Sequence, residues 1–214
     1  MTDTTAPQRT PEWIAARLGK VGASRVADIM AKTKSGPSAS RANYMAQLIA
    51  ERLTGVLAES YSNAVMDWGT ENEAGARAIY QFMTDREVIE TGFVAHPKIA
   101  MAGTSPDGLV ATSGLVEIKA PNTATHIDTL LGQNVSGKYV QQMQFQMACT
   151  GRAWCDFVSY DPRLPVPMQL FIQRVPRDDK LIRELEQGVT EFLTELEQKL
   201  AALRARYEPK KEAA

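Results

Sequence analysis

Apolar residues recur at helical spacing along Ala64–Met83, where Val65, Trp68, Gly69, Ala76, Ile79, Tyr80 and Met83 share one stripe. A second stripe of Leu181, Leu185, Val189, Phe192, Leu196, Leu200 and Leu203 predicts a long helix from Asp178 to Tyr207. Between the two, the pattern changes. Runs of apolar and β-branched residues predict strands over Glu87–Ala95, Ala100–Thr104, Leu109–Ala111 and Leu115–Ala120, then over Ala153–Tyr160 and Met168–Val175. Helical segments at Ala124–Leu131 and Gly137–Thr150 separate these two groups. Upstream, Thr10-Pro11-Glu12 reads as a helix start, with a cap, a first-turn proline and an acid, running to Arg17. Ser24 is placed to cap a helix through Ala31. Lys32–Ser40 reads as a basic Gly/Pro/Ser loop, and Ser40–Leu53 as a helix stopped by Gly55. Helices before and after mixed strands predict an α/β fold: a mixed central β-sheet flanked by helices, with a long C-terminal helix.

Composition narrows this little. A chain of 214 residues is expected to form a single domain, with flexible ends at 1–9 and 208–214. Lys and Arg number 24 against 25 Asp and Glu, so no global basic charge marks a nucleic-acid binder, although a local basic groove is compatible with that balance. Cys149 and Cys155 lack metal-ligand spacing and are expected to be reduced core thiols. No apolar run is long enough to span a membrane and no secretory h-region opens the chain, so a cytoplasmic protein is expected.

Candidate chemistry centres on Asp107, Glu117 and Lys119, which fall within one predicted hairpin. With its turn centred on Ser113, antiparallel pairing sets Asp107 opposite Lys119, and alternation puts Glu117 and Lys119 on one face. Two carboxylates suit a hard divalent cation that keeps waters and phosphate oxygens as further ligands, and an adjacent ammonium suits phosphodiester hydrolysis. The plain alternative is a surface ion pair on an exposed hairpin. Glu73 lies with Gly69, Ala76 and Tyr80 on the apolar stripe, where a carboxylate needs either an ion-pair partner or a metal; spacing leaves both open. Glu71 points away. Lys32 and Lys34 are candidate DNA contacts or simply solvated loop residues.

Gly103-Thr104-Ser105-Pro106-Asp107-Gly108-Leu109, Glu117-Ile118-Lys119-Ala120-Pro121 and Trp68-Gly69-Thr70-Glu71-Asn72-Glu73 together resemble the phage lambda exonuclease family, the viral and prophage alkaline exonucleases of the PD-(D/E)xK nuclease superfamily. The resemblance runs from Trp13 to Pro162. It implies a restriction-endonuclease-like fold and Mg²⁺-dependent digestion of one strand of linear duplex DNA from a 5′-phosphorylated end. Mononucleotides are released and a 3′ single strand remains for annealing-type recombination. It implies that Asp107, Glu117 and the Ile118 carbonyl hold one ion, that Asp107 and Glu73 help hold a second, and that Lys119 orients and activates the attacking water; Mn²⁺ is expected to substitute. Arg17, Ser24, Ser105 and Gln142 match residues that hold the 5′-phosphate, Gln144 being the fallback for Gln142. Met66 matches a wedge between base pairs, although a methionine at helical spacing is also ordinary core. A homotrimeric ring and a single-strand annealing protein as partner are implied as well. His96-Pro97-Lys98 departs from the acidic residues of the lambda protein, and neither His96 nor His126 is assigned a role. An endonuclease or single-strand exonuclease on the same metal core, and a non-catalytic DNA-end binding protein, are the alternatives.

Overall fold

The structure, a computed structural model, describes residues 6–34, 36–58 and 64–207, leaving aside the side chains of 64–67 and 70. Thr10 caps α1 (Pro11–Arg17), its hydroxyl accepting the Trp13 N–H at 3.3 Å, as the sequence predicts. β1 (Val21–Gly22) and α2 (Val26–Met30) lead to a small hairpin of β2 (Lys32–Thr33) and β3 (Gly36–Pro37), then to α3 (Ala39–Thr54) and α4 (Ala64–Thr84). Five strands follow: β4 (Val88–Ile89), β5 (Val94–Ala95), β6 (Ala102–Thr104), β7 (Gly108–Val110) and β8 (Gly114–Lys119). Then come α5 (Thr123–Gly132), α6 (Gly137–Thr150), β9 (Trp154–Tyr160), β10 (Leu170–Pro176) and α7 (Asp179–Tyr207).

The central sheet has the order β10-β9-β8-β7-β4, with β8 and β9 parallel and the other neighbours antiparallel. Parallel neighbours require a crossover, which α5 and α6 supply. Side-chain alternation sorts β8 between two cores. Val116 and Ile118 pack with Ala76 and Tyr80 of α4, while Leu115 packs with Met143 and Met147 of α6. Glu117 and Lys119 have the parity of Leu115 and so face α6. A third core joins α2, α3, α6 and α7 through Tyr44, Leu48, Phe145, Leu185, Val189, Phe192 and Leu196. Among the described residues no helix is long and apolar enough to cross a membrane.

Four local expectations change. The single strand expected over Glu87–Ala95 is two: β4 pairs with β7 in the central sheet, whereas β5 pairs with β6 in a separate sheet of order β1-β6-β5. The expected loop over Lys32–Ser40 contains β2 and β3, paired Lys32 to Pro37. The stripe of α4 stops being buried after Tyr80, since Met83 is 66% exposed. The β7–β8 register differs by one residue on each strand: Leu109 pairs with Leu115 and Val110 with Gly114. The turn is therefore Ala111–Ser113, with Ala111 at φ 47, and Asp107 stands opposite Glu117 rather than Lys119. Loop length fixes the register here, and the Arg152 guanidinium holds the loop by donating to the carbonyls of Val110, Ala111 and Gly114.

Candidate active site

The β7–β8 hairpin brings the two carboxylates side by side. Asp107 Oδ2 accepts the Ile118 N–H at 2.6 Å. Glu117 is 1% exposed, and its carboxylate is held from three directions. Gln142 Nε2 donates to its Oε1 at 2.6 Å and Gln146 Nε2 to its Oε2 at 2.6 Å, while the Lys119 ammonium pairs with Oε1. Gln142 and Gln146 are one helical turn apart on α6, so both amides reach one carboxylate. Lys119 also sits 5.4 Å from the centre of the Tyr139 ring. Burial opposes its charge, but Glu117 and Asp107 more than offset this and hold the ammonium protonated well above the usual lysine range. Asp107 moves the other way. Burial first, then the neighbouring Glu117 and Glu73, raise its proton affinity well above the usual carboxylate range, against the pull of Lys119 and the Ile118 N–H.

Glu73 reaches the same place from α4. It lines a cavity of about 320 Å³ together with Asp107, Arg77, Glu90, Gln8 and Arg9. Its carboxylate accepts from Arg77 at 2.8 Å, and Arg77 also pairs with Glu90. So Glu73 has the ion-pair partner that one reading of its spacing requires and also shares a cavity with Asp107, which the other requires. Glu71 is exposed, as expected. Among the described residues no group of three or more acidic, histidine or cysteine side chains stands close enough to hold an ion; Glu73 is paired with Arg77, and Glu117 with Lys119 and two glutamine amides.

The four residues expected to hold a phosphate come together. Arg17, Ser24, Ser105 and Gln142 all line one cavity of about 470 Å³, with Trp13, Lys20, Gln8 and Arg9. Ser24 does so because it is not a helix cap: Arg25 occupies that position, and Ser24 lies in a 3-10 turn over Ala23–Arg25. Trp13 ties two of the four. Its indole N–H donates to Ser105 Oγ at 2.8 Å, and the Arg17 guanidinium stacks on its ring at 4.2 Å. Because the indole can only donate, Ser105 accepts there and keeps its own proton for an incoming anion. Gln142 belongs to both halves, lining this cavity while it donates to Glu117. Gln144, the fallback, is buried and donates instead to the Pro176 carbonyl at 2.8 Å.

Other candidates stay apart. Lys32 and Lys34 are exposed on and beside the β2–β3 hairpin, and neither lines these two cavities. Met66, the candidate wedge, lies outside the described side chains. His96 and His126 are buried in structural roles: His96 Nδ1 accepts the N–H groups of Lys98 and Ile99, and His126 bonds Ser159 and the Met168 carbonyl. Trp13, Gln146, Gln8 and Arg9 are among the residues of the site to which sequence analysis assigned no role. Gln146 had a legible signal, four residues after Gln142 in a glutamine-rich run. Gln8 and Arg9 lie in a segment of no recognisable pattern.

Comparison with known proteins gives the chain relatives in sequence and in fold. A family profile described as the YqaJ-like viral recombinase domain matches residues 12–153. The structure resembles the alkaline exonuclease LHK-Exo of Laribacter hongkongensis, at 56% identity and a TM-score of 0.85 over 92% of this chain and 97% of that one. LHK-Exo in complex with dAMP gives a TM-score of 0.86 at the same identity and coverage. A phage-related exonuclease of Haemophilus somnus 129PT, 16% identical, shares the fold with a TM-score of 0.70 over 86% of this chain and 96% of that one. No curated protein sequence matched significantly. With its profile match over most of the length, and the same α/β architecture at 56% identity, the chain belongs to the YqaJ-like viral recombinase family of lambda-exonuclease-like nucleases.

Proposed function

We propose that the protein is a Mg²⁺-dependent 5′→3′ exodeoxyribonuclease that degrades one strand of linear duplex DNA from a 5′-phosphorylated end to mononucleotides. The observation that carries this is the junction at Gln142. One amide touches Glu117, one of the two carboxylates that suit a metal, and lines the cavity where Arg17, Ser24 and Ser105 suit a phosphate. An enzyme that removes one nucleotide at a time needs both stations within a nucleotide of each other. The dAMP bound by LHK-Exo is a nucleoside monophosphate, the product class expected here.

The side chains fit a hard divalent cation. Asp107 and Glu117 offer carboxylates on neighbouring strands, with Glu73 on the cavity that Asp107 lines, and burial beside Glu117 and Glu73 disfavours the Asp107 anion, a penalty that a bound cation would offset. Mg²⁺ needs only one or two protein carboxylates, since waters and substrate oxygens complete its shell. Asp107, Glu117 and the Ile118 carbonyl would hold one ion, and Asp107 with Glu73 a second; Mn²⁺ is an acceptable substitute. Bound metal supplies activation of water and neutralisation of charge on attacking and leaving oxygens. Gln142 and Gln146 fix the Glu117 carboxylate. Lys119, kept protonated, orients the water and steadies developing charge as a donor rather than as a proton acceptor. Arg17, Ser24, Ser105 and Gln142 hold the terminal phosphate through a guanidinium fork, hydroxyls and an amide.

The resemblance adds a homotrimeric ring around the duplex, a single-strand annealing protein as partner and action in the host cytoplasm; sedimentation of the purified protein tests the ring. The catalytic reading is tested by incubating linear duplexes bearing 5′-phosphate or 5′-hydroxyl ends, and covalently closed circles, with Mg²⁺, with Mn²⁺ and with a chelator. Mononucleotide release from the 5′-phosphorylated duplex alone, lost with chelator, is expected. Cutting of closed circles favours an endonuclease, and end binding without digestion favours a scaffold.

A further inference from the structure

The two cavities meet at Gln8 and Arg9, which line both. A strand passing from the phosphate station at Arg17 to the carboxylates at Asp107 and Glu73 crosses this boundary. The boundary is anchored. Gln8 Nε2 donates to the Pro106 carbonyl at 3.0 Å, one residue before Asp107, and to the Thr91 carbonyl at 3.3 Å. A turn closes Pro7 to Thr10, the Thr10 N–H and hydroxyl both donating to the Pro7 carbonyl at 3.4 and 2.8 Å. Arg9 is the third residue of that turn and adopts φ 72, the left-handed conformation that glycine fills without strain and that other L-residues rarely take. So the backbone asks for glycine, and the position holds an exposed arginine facing two cavities instead.

The geometry points to Arg9 as a substrate-contacting residue: its guanidinium contacts the backbone of the terminal nucleotide, between the held 5′-phosphate and the phosphodiester to be cut. This rests on the proposed nuclease reading and adds a cation that reading does not contain. Gln8, touching no substrate, positions it by pinning the turn beside Asp107.

The strained turn makes a discriminating test, because Arg9→Gly deletes the cation and suits the backbone. The full-length protein and its Arg9→Gly, Arg9→Lys and Gln8→Ala variants are assayed on 5′-phosphorylated linear duplex across a salt series, with melting temperatures measured alongside. For Arg9→Gly the expected result is a protein that still melts cooperatively and a loss in kcat/KM of about tenfold or more, as for a lost charge-assisted hydrogen bond. The slope of log kcat/KM against log salt should shallow by about one, the signature of one phosphate contact removed. Arg9→Lys should restore the slope, and Gln8→Ala should lower the rate while leaving closed-circle DNA uncut. An Arg9→Gly variant with the parent's rate and slope overturns the assignment. If the parent digests no duplex, the nuclease reading fails instead; the same slope measured on binding of 5′-phosphorylated duplex then decides for or against Arg9.

Discussion

Glu117 is the most tightly specified side chain in the site. Two glutamine amides and one ammonium fix a carboxylate that would otherwise be free to rotate. Gln146 is fully buried, and its Oε1 has no hydrogen-bond partner among the described residues, an arrangement that costs stability. Gln146→Leu exchanges that orphan for an unmet Glu117 oxygen, so the stability effects oppose each other and a small change in melting temperature is expected. Activity should fall about 10–100-fold, as for partners that orient metal-site ligands; an unchanged kcat would remove Gln146 from the site. Asp107 makes a second prediction. Its folded-state proton affinity lies above the unfolded value of 3.8, so it costs stability as pH rises past that value. Asp107→Asn should therefore raise the metal-free melting temperature at pH 8 by a few degrees while abolishing digestion; a lower melting temperature there contradicts the electrostatic account. The sequence identified Asp107, Glu117 and Lys119 by type and spacing. Only the resemblance ranked Gln142 before Gln144, and nothing singled out Gln146, because helical periodicity leaves open which turn of α6 meets β8.

At the scale of elements, the site depends on close backbone approach. Gly103 in β6 leads to Ser105 and Asp107. A Cβ there would lie 2.6 Å from the Val94 carbonyl and 2.2 Å from Phe93 Cζ, so β5 and β6 could not keep their pairing. Gly103→Ala is expected to cost about 1–3 kcal/mol by overpacking, measured by denaturant unfolding, and to lower activity through displacement of Ser105. The hairpin shows why elements were legible and their register was not. Alternation located β7 and β8, but the pairing depended on Ala111 adopting a left-handed conformation and on Arg152, 38 residues from Gly114 in sequence, gathering three carbonyls. Likewise, the run before Ala95 reads as one strand because both pieces are apolar; only their partners in separate sheets reveal the break.

For the whole molecule, the long helix is an organising strut. Leu185, Val189, Phe192, Leu193 and Leu196 are buried on α7 and join helices α2 and α3 to α6, which carries the glutamines. Phe192→Ala should cost about 3–5 kcal/mol by cavity formation and lower activity only as far as it unfolds the protein. Acid stability is a further global property. Asp161 is fully buried at the end of β9; burial opposes its charge, but Arg163 binds it through backbone and guanidinium and draws it down to about 2. A depressed folded-state value contributes stability above the unfolded value of 3.8 that is lost as pH falls from there toward about 2. Asp161→Asn should flatten the melting temperature's pH dependence across that interval.

By itself the sequence determined the fold class, the position of the α-helices and of the longer strands, and the chemical kinds of group proposed for the site, because periodicity and residue type are local properties of the chain. Tertiary structure alone decided that Asp107 faces Glu117, that Gln142 lines the phosphate-side cavity while donating to Glu117, that Ser24 leaves its capping role to line the same cavity, and that Gln8 and Arg9 stand at the boundary. Each of these depends on contacts between residues distant along the chain, whose distances follow from packing and loop closure rather than from any pattern within a segment.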